Sequence, residues 1–152
     1  MTDEQAKEAV RLYRVRYEST GVLEYTPFPG MCELVHDLKA KGKRVAVATG
    51  KPEKFSRIIL EREGLMSCVD MLVTPKLTDT HDSKPEMVRS IVEKLGRNAL
   101  MVGDRCFDMQ GARANGVEAA GVLQGFGSRE ELEASGATYI VKGAQELRAL
   151  LL

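Results

Sequence analysis

The 152-residue sequence predicts an α/β fold in which a parallel sheet is flanked by helices. Two observations carry that expectation. Short apolar runs alternate with helical stretches that close on glycine, and strands separated by helices join in parallel through right-handed crossovers. The runs at 45–48 and 99–102 are apolar at every position, as in strands buried on both faces.

The elements follow in order. Thr2 and Gln5 have capping-box spacing, which satisfies free amides at a helix start. Ala6, Val10, Tyr13 and Tyr17 then recur at helical intervals, a stripe read as packing rather than recognition. Gly21 ends this helix, and two prolines and a glycine in Glu24–Gly30 mark a boundary. Residues 1–24 are therefore expected to form an accessory element, and residues 25–152 the main layer. Residues 31–41 look helical, with Leu34, Val35 and Leu38 on one side. Val45–Ala48 is a strand, and Pro52 opens a helix with Phe55, Ile58, Ile59 and Leu60 that stops at Gly64. Val69–Val73 is the next strand, followed by a Thr- and Asp-rich loop. Ser83 and Glu86 repeat the capping-box spacing, with Pro85 in the first turn, where it is tolerated. Ala99–Val102 is a third strand, a helix runs from about Phe107 to Asn115, and Ala119–Leu123 is a weaker strand. Ser128 and Glu131 cap another helix; Thr138–Val141 is the last strand and 144–152 the final helix.

Composition narrows the function classes. The 22 Lys+Arg balance 22 Asp+Glu, and 43% of residues are hydrophobic. That is ordinary for a globular protein able to bury roughly 70% of its unfolded surface, and unlike disordered, fibrous or disulfide-rich chains. Zero net charge gives no general attraction to nucleic acid or to an anionic membrane. The odd set Cys32, Cys68 and Cys106 has no Cys-x-x-Cys pair, which points away from a disulfide framework or zinc site and toward a reducing, cytoplasmic setting. The cysteines are read as small buried hydrophobes, and His36 and His81 receive no role. Thr2-Asp3-Glu4-Gln5 is unlike a signal peptide, and no apolar stretch approaches the roughly 20 residues that span a bilayer.

Ligands of open α/β sheets bind at the carboxyl ends of strands. The residues there are Thr49 and Gly50 after the first apolar run, and Asp104 after the third, with Asp108 about one helical turn further on; Lys84 starts a helix between them. One hydroxyl, one ammonium and two carboxylates at one edge suit a phosphate site. The Thr49 hydroxyl and Gly50 amide can donate to phosphate oxygens near a helix N-terminus, and Lys84 offsets phosphoryl charge. Asp104 and Asp108 are hard oxygen ligands of the kind magnesium takes. Singly, each has a plainer reading: Thr49 as a turn residue, Lys84 as a solvated charge, Asp104 as a helix cap, Asp108 as a first-turn acid. Gly50-Lys51-Pro52 lacks the glycine-rich run of a P-loop, Gly125-Phe126-Gly127 is not a dinucleotide fingerprint, and no Gly-x-Ser-x-Gly elbow occurs.

Taken together and in order, the segments resemble the haloacid dehalogenase superfamily of phosphohydrolases, and within it the phosphoglycolate phosphatase-like branch. The resemblance runs from about Tyr13 onward. It rests on Phe28-Pro29-Gly30, Val45–Thr49 with Gly50-Lys51-Pro52, Ser83-Lys84-Pro85-Glu86, Met101–Ala112, and Gly125–Leu132 with Gly136-Ala137. It implies a Rossmannoid, HAD-like core, with Thr49 as the phosphate-binding hydroxyl and Lys84 as the lysine that holds phosphate and nucleophile. Asp104 and Asp108 become the magnesium acids, and the helix at 2–20 a remnant of the helical cap. The implied reaction is magnesium-dependent hydrolysis of a small metabolite's phosphate monoester, such as phosphoglycolate or a nucleoside monophosphate.

One departure stands out. The family begins with a strand ending in Asp-x-Asp-Gly-Thr, whose first Asp attacks phosphorus and whose second acts as acid and base. No Asp-x-Asp occurs in these 152 residues; neither Val69-Asp70 nor Asp79-Thr80-His81-Asp82 supplies it. The expectation is a C-terminal portion of such an enzyme, starting inside the cap and inactive alone, with weak magnesium binding because the first-motif Asp is also a ligand. The family's missing strand is central, between those at 45–48 and 99–102. Its loss leaves two edges that either pair directly or accept a strand from a partner or a second copy of the chain, so marginal stability or oligomerisation is expected. The alternatives are a non-catalytic module that binds a phosphate ligand or a protein, and one half of a split enzyme. A phosphorylation-receiver domain places its acids first along the chain, unlike this sequence.

Overall fold

The computed structural model describes residues 2–75 and 83–152. The loop expected before Ser83, including Asp79, His81 and Asp82, lies outside the described residues. Among the described residues, seven α-helices and five strands follow in order, alternating from α2 onward: α1 Asp3–Ser19, α2 Met31–Ala40, β1 Ala46–Ala48, α3 Glu53–Arg62, β2 Met71–Val73, α4 Lys84–Leu95, β3 Leu100–Gly103, α5 Cys106–Ala114, β4 Glu118–Val122, α6 Arg129–Ala134, β5 Tyr139–Val141 and α7 Ala144–Leu151.

Local chemistry sets the helix limits. At α1, the Gln5 N–H donates to Thr2 Oγ1 (3.3 Å) and the Thr2 N–H to Gln5 Oε1 (2.9 Å), the reciprocal pair that the spacing predicts. At α4, the Ser83 N–H and hydroxyl both donate to Glu86 Oε2 at 3.0 Å. Gly42 and Gly64 take left-handed backbone (φ +72° and +67°) just past α2 and α3, a conformation that side chains with a Cβ disfavour.

All strand pairs are parallel, but the sheet is in two pieces. β1 pairs with β2, Val47 opposite Leu72, while β3, β4 and β5 form a separate three-stranded sheet in that order. β4 is the centre of the core. Ala120 and Val122 face Leu34 of α2 and Leu147 of α7. Ala119, on the opposite face, packs with Met109 and Ala112 of α5 and Leu132 of α6. The period-two alternation of a strand thus feeds two apolar layers.

β1 and β3 do not pair with each other, so the direct pairing allowed by the sequence is not observed. The Asp70 N–H donates to Val45 O (2.8 Å) and the Thr49 N–H to Val73 O (3.0 Å). Odd-numbered residues of β1 therefore address β2, and the backbone groups of Ala46 and Ala48 address the opposite edge. The expectation of full burial at 45–48 and 99–102 is corrected: β1 is half-buried throughout, and Val102 of β3 is 36% exposed. β4, the weaker strand by sequence, is buried from Ala119 to Val122 because it alone has a strand on each side.

The packing stripe of α1 is also corrected. No residue of α1 is buried, and Tyr13 is 64% exposed. The helix meets the rest of the chain through its last turns. The Tyr17 ring stands edge-on to Phe55 at 5.0 Å, Lys54 pairs with Glu18, and Lys51 hydrogen-bonds the Tyr17 hydroxyl. Lys39 pairs with Asp70 at 2.8 Å, which also accepts the Val45 N–H at 2.7 Å, so Asp70 is a structural clamp at the start of β1. Lys39 accordingly holds the Asp70 carboxyl below the usual carboxylate range. The three cysteines are free; Cys68 is buried, with Sγ 3.3 Å from His36 Nδ1, whereas Cys32 and Cys106 are half-buried. No helix among the described residues is long and apolar enough to cross a membrane.

Candidate active site

The site is built around Lys84, the first residue of α4. Its ammonium lies 2.9 Å from Asp108 Oδ1 and donates to the Ala48 carbonyl at 2.8 Å. The chain carries it there because α4 packs against both β1 and α5. α5 approaches closely enough that a Cβ at Gly111 would meet the Lys84 stem at 2.8 Å. Asn115 of α5 donates to Pro85 O at 2.8 Å and fixes the crossing. An ammonium has three donors. Among the described residues, Asp108 and Ala48 take two of these.

Asp108 sits in the first turn of α5 and is buried, with its side chain 11% exposed. Its second oxygen accepts the Arg105 N–H at 3.2 Å, as a first-turn acid does; its ion pair with Lys84 was not foreseen from the sequence. Asp104, at the end of β3, is not the cap of α5. The residue at the cap position is Arg105, and Asp104 Oδ2 instead accepts the Phe126 N–H at 2.9 Å. The Asp104 carbonyl accepts from Gly127 at 2.9 Å, so residues 125–127 fold over this acid. Thr49 Oγ1 accepts the Lys51 N–H at 3.2 Å, a turn that sets the loop leaving β1; Gly50 beside it is exposed.

The structure thus joins Lys84 and Asp108 directly and places Thr49 and Asp104 at the ends of β1 and β3. Among the described residues, neither Thr49 nor Asp104 hydrogen-bonds Lys84. Two features escaped the sequence reading. A Cβ at Gly125 would lie 2.1 Å from the Asp104 side chain, and one at Gly103 would lie 2.3 Å from the Asp108 side chain, so these glycines make room for the two carboxylates. Glu131, expected only as a capping partner of Ser128, sends its carboxylate to the start of α5, accepting from the Cys106 N–H and Arg105 Nε at 3.0 Å each. These two donors hold the Glu131 carboxyl below its ordinary range, the Cys106 amide being the larger cause. No sequence spacing signals a contact between elements 25 residues apart.

The residues fit a magnesium ion in part. Magnesium is commonly held by one or two carboxylates, retained waters and a substrate phosphate. Asp104 and Asp108 supply two carboxylates, and among the described residues no group of three or more His, Cys, Asp or Glu gathers to form a cage.

A parallel α/β core thus carries a lysine–aspartate pair and a threonine at its strand ends. The model of the haloacid dehalogenase-like hydrolase family matches residues 2–116, and the chain belongs to that family. The chain is 36% identical over 150 residues to a 5'-nucleotidase of Pseudomonas aeruginosa, covering 97% of this chain and 68% of the relative. It is 32% identical over 142 residues to a phosphoglycolate phosphatase of Caulobacter vibrioides, covering 91% of this chain and 59% of the relative. The structure of a predicted phosphatase from Clostridium acetobutylicum superposes with a TM-score of 0.88 at 36% identity, covering 99% of this chain and 71% of that one. The chain spans 53% of a tyrosine-protein kinase, PtkA, of Mycobacterium tuberculosis. Its share of the curated relatives is thus about half to two thirds of their length.

Proposed function

We propose that this chain is the phosphate- and metal-binding portion of a phosphatase that hydrolyses small phosphate monoesters with magnesium. The observation that carries the reading is the Lys84 ammonium, held between Asp108 at 2.9 Å and the Ala48 carbonyl at 2.8 Å beside the end of β1. Relatives that act on a 5'-nucleotide and on phosphoglycolate support the same substrate class, and make these the first two substrates to test.

The division of labour follows from the chemistry. The Lys84 ammonium binds and neutralises a phosphate oxygen. Thr49 and the Gly50 amide, at the end of β1, orient the remaining oxygens by hydrogen bonding. Asp108 fixes Lys84 in position, and Asp104 follows β3 at the same end of the strands. Asp104 and Asp108 would hold magnesium, which would supply screening of the phosphate charge. The nucleophilic Asp is not among these residues, since no Asp-x-Asp occurs in the sequence. The edge of β1 away from β2, at Ala46, supports a strand from outside these 152 residues as its source, whether from a longer chain or a second polypeptide.

The test compares the chain alone with a fusion that places a strand ending in Asp-x-Asp-Gly-Thr ahead of residue 2. The chain alone should bind inorganic phosphate, lose that binding in Lys84→Ala, and release no phosphate from p-nitrophenyl phosphate. The fusion should release phosphate only with magnesium. Turnover by the chain alone would remove the need for the added strand, and absence of phosphate binding would remove the site itself.

A further inference from the structure

The turn that carries both candidate metal acids is held from α6. Helix α5 begins at Cys106, and its cap position is filled by Arg105, a side chain with donors and no acceptor. The amides at this start therefore need carboxylates from elsewhere. Asp108 takes the Arg105 N–H at 3.2 Å. Glu131 takes the Cys106 N–H at 3.0 Å, through the same Oε1 that accepts from Arg105 Nε at 3.0 Å. The segment leading to Glu131 grips the other end of the turn. The Phe126 N–H donates to Asp104 Oδ2 and the Gly127 N–H to the Asp104 carbonyl, each at 2.9 Å. The Ser128 hydroxyl accepts the Glu131 N–H at 3.1 Å and ties the two grips together. Residues 126–131 thus bond residues 104, 105 and 106 in succession.

We propose that Glu131 is a positioning residue for the metal acids: it fixes the start of α5 so that Asp104 and Asp108 present their carboxylates at one spacing. The inference rests on the metal reading above and adds to it a residue that touches neither metal nor substrate. Magnesium demands near-octahedral oxygens at short range, so the spacing of two carboxylates on one turn decides whether both can reach it. Two features set this contact apart from an ordinary helix cap. A cap is local, whereas this acceptor arrives 25 residues later, on the helix whose entry loop already holds Asp104. The Arg105 guanidinium also pairs with Glu131, so the contact aligns the acids without adding an uncompensated negative charge beside them. Outer contacts that orient metal ligands are worth roughly 10–100-fold in metal affinity.

The experiment titrates the chain with manganese(II), a paramagnetic ion that takes the same oxygen ligands as magnesium. Broadening of the amide resonances at 103–108 gives the affinity, and competition with magnesium gives that of the diamagnetic ion. Glu131→Ala should bind both ions about tenfold more weakly than wild type. Glu131→Gln, uncharged but with an acceptor at the right reach for the Cys106 N–H, should restore most of the affinity. Glu131→Asp, charged but one methylene short of that N–H, should not. A cap that served stability alone would lower the urea midpoint and leave the ion affinity of the folded chain unchanged. Wild-type affinity in Glu131→Ala, or a Glu131→Gln variant weaker than Glu131→Asp, overturns this inference and spares the metal site. Absence of broadening at 103–108 in wild type overturns both. Should Glu131→Ala not fold, the order of the Gln and Asp variants carries the decision.

Discussion

Replacing Lys84 with Met tests how much the lysine–aspartate pair contributes to the fold. Methionine keeps the apolar stem packed on Gly111 and removes the ammonium. Asp108 would then retain a single hydrogen bond, from the Arg105 N–H at 3.2 Å, and the Ala48 carbonyl would lose its donor. Breaking a fully buried pair by removing one partner costs about 3–5 kcal/mol, whereas an exposed pair contributes about 0–1 kcal/mol. With Lys84 and Asp108 side chains 19% and 11% exposed, the pair lies near the buried limit. A loss of about 3 kcal/mol is expected, or about 6–12 °C in Tm for a domain of this size. Urea unfolding followed by far-UV circular dichroism reads the cost. The double variant Lys84→Met/Asp108→Leu, which removes both charges, should recover about 2 kcal/mol of it. A single variant within about 0.5 kcal/mol of wild type, or simple additivity in the double, would refute the reasoning.

Two further predictions follow from named contacts. Gly125→Ala forces the Asp104 carboxyl out of its bond to the Phe126 N–H and should cost about 2 kcal/mol, whereas Gly50→Ala, with no atom within 4 Å of the new Cβ, should unfold at the same urea midpoint as wild type. Burial, then the 2.7 Å hydrogen bond to Glu63, pushes the Tyr25 phenol up to about 12. An acid raised in the fold is deprotonated first in the unfolded chain, so its contribution is intact below about pH 10 and is lost as pH rises from about 10 to about 12. Tyrosinate absorbance should show a ring titrating toward about pH 12, and earlier in Glu63→Gln; no change in Glu63→Gln would discard the contact.

Much of the fold was legible because its signals are local. Capping boxes at Thr2 and Ser83, proline at 85 and glycines after α2 and α3 act within one turn, and element order follows from them. Burial was not legible, because it depends on neighbours in space. The all-apolar runs at β1 and β3 are half-exposed for want of a second neighbour, and the Ala-rich β4 is the buried centre. The same limit governs the site. Thr49, Asp104 and Asp108 stand out by position after strands and Lys84 by its helix start, but the partner of each acid does not: Asp104 looks to residue 126 and Asp108 to residue 84.

The split sheet also has a consequence for how the molecule opens. β1 and β2 share no ladder with β3, β4 and β5, and α4 touches both parts. Cooperativity between them therefore passes through helices, α4 with the ammonium at its start and α2 with Leu34 on β4 and Lys39 on Asp70, rather than through a continuous backbone ladder. Such a molecule has two local stabilities instead of one. Amide exchange in β1 and β2 samples the opening of a small unit, while the β4 amides exchange only when the whole domain unfolds.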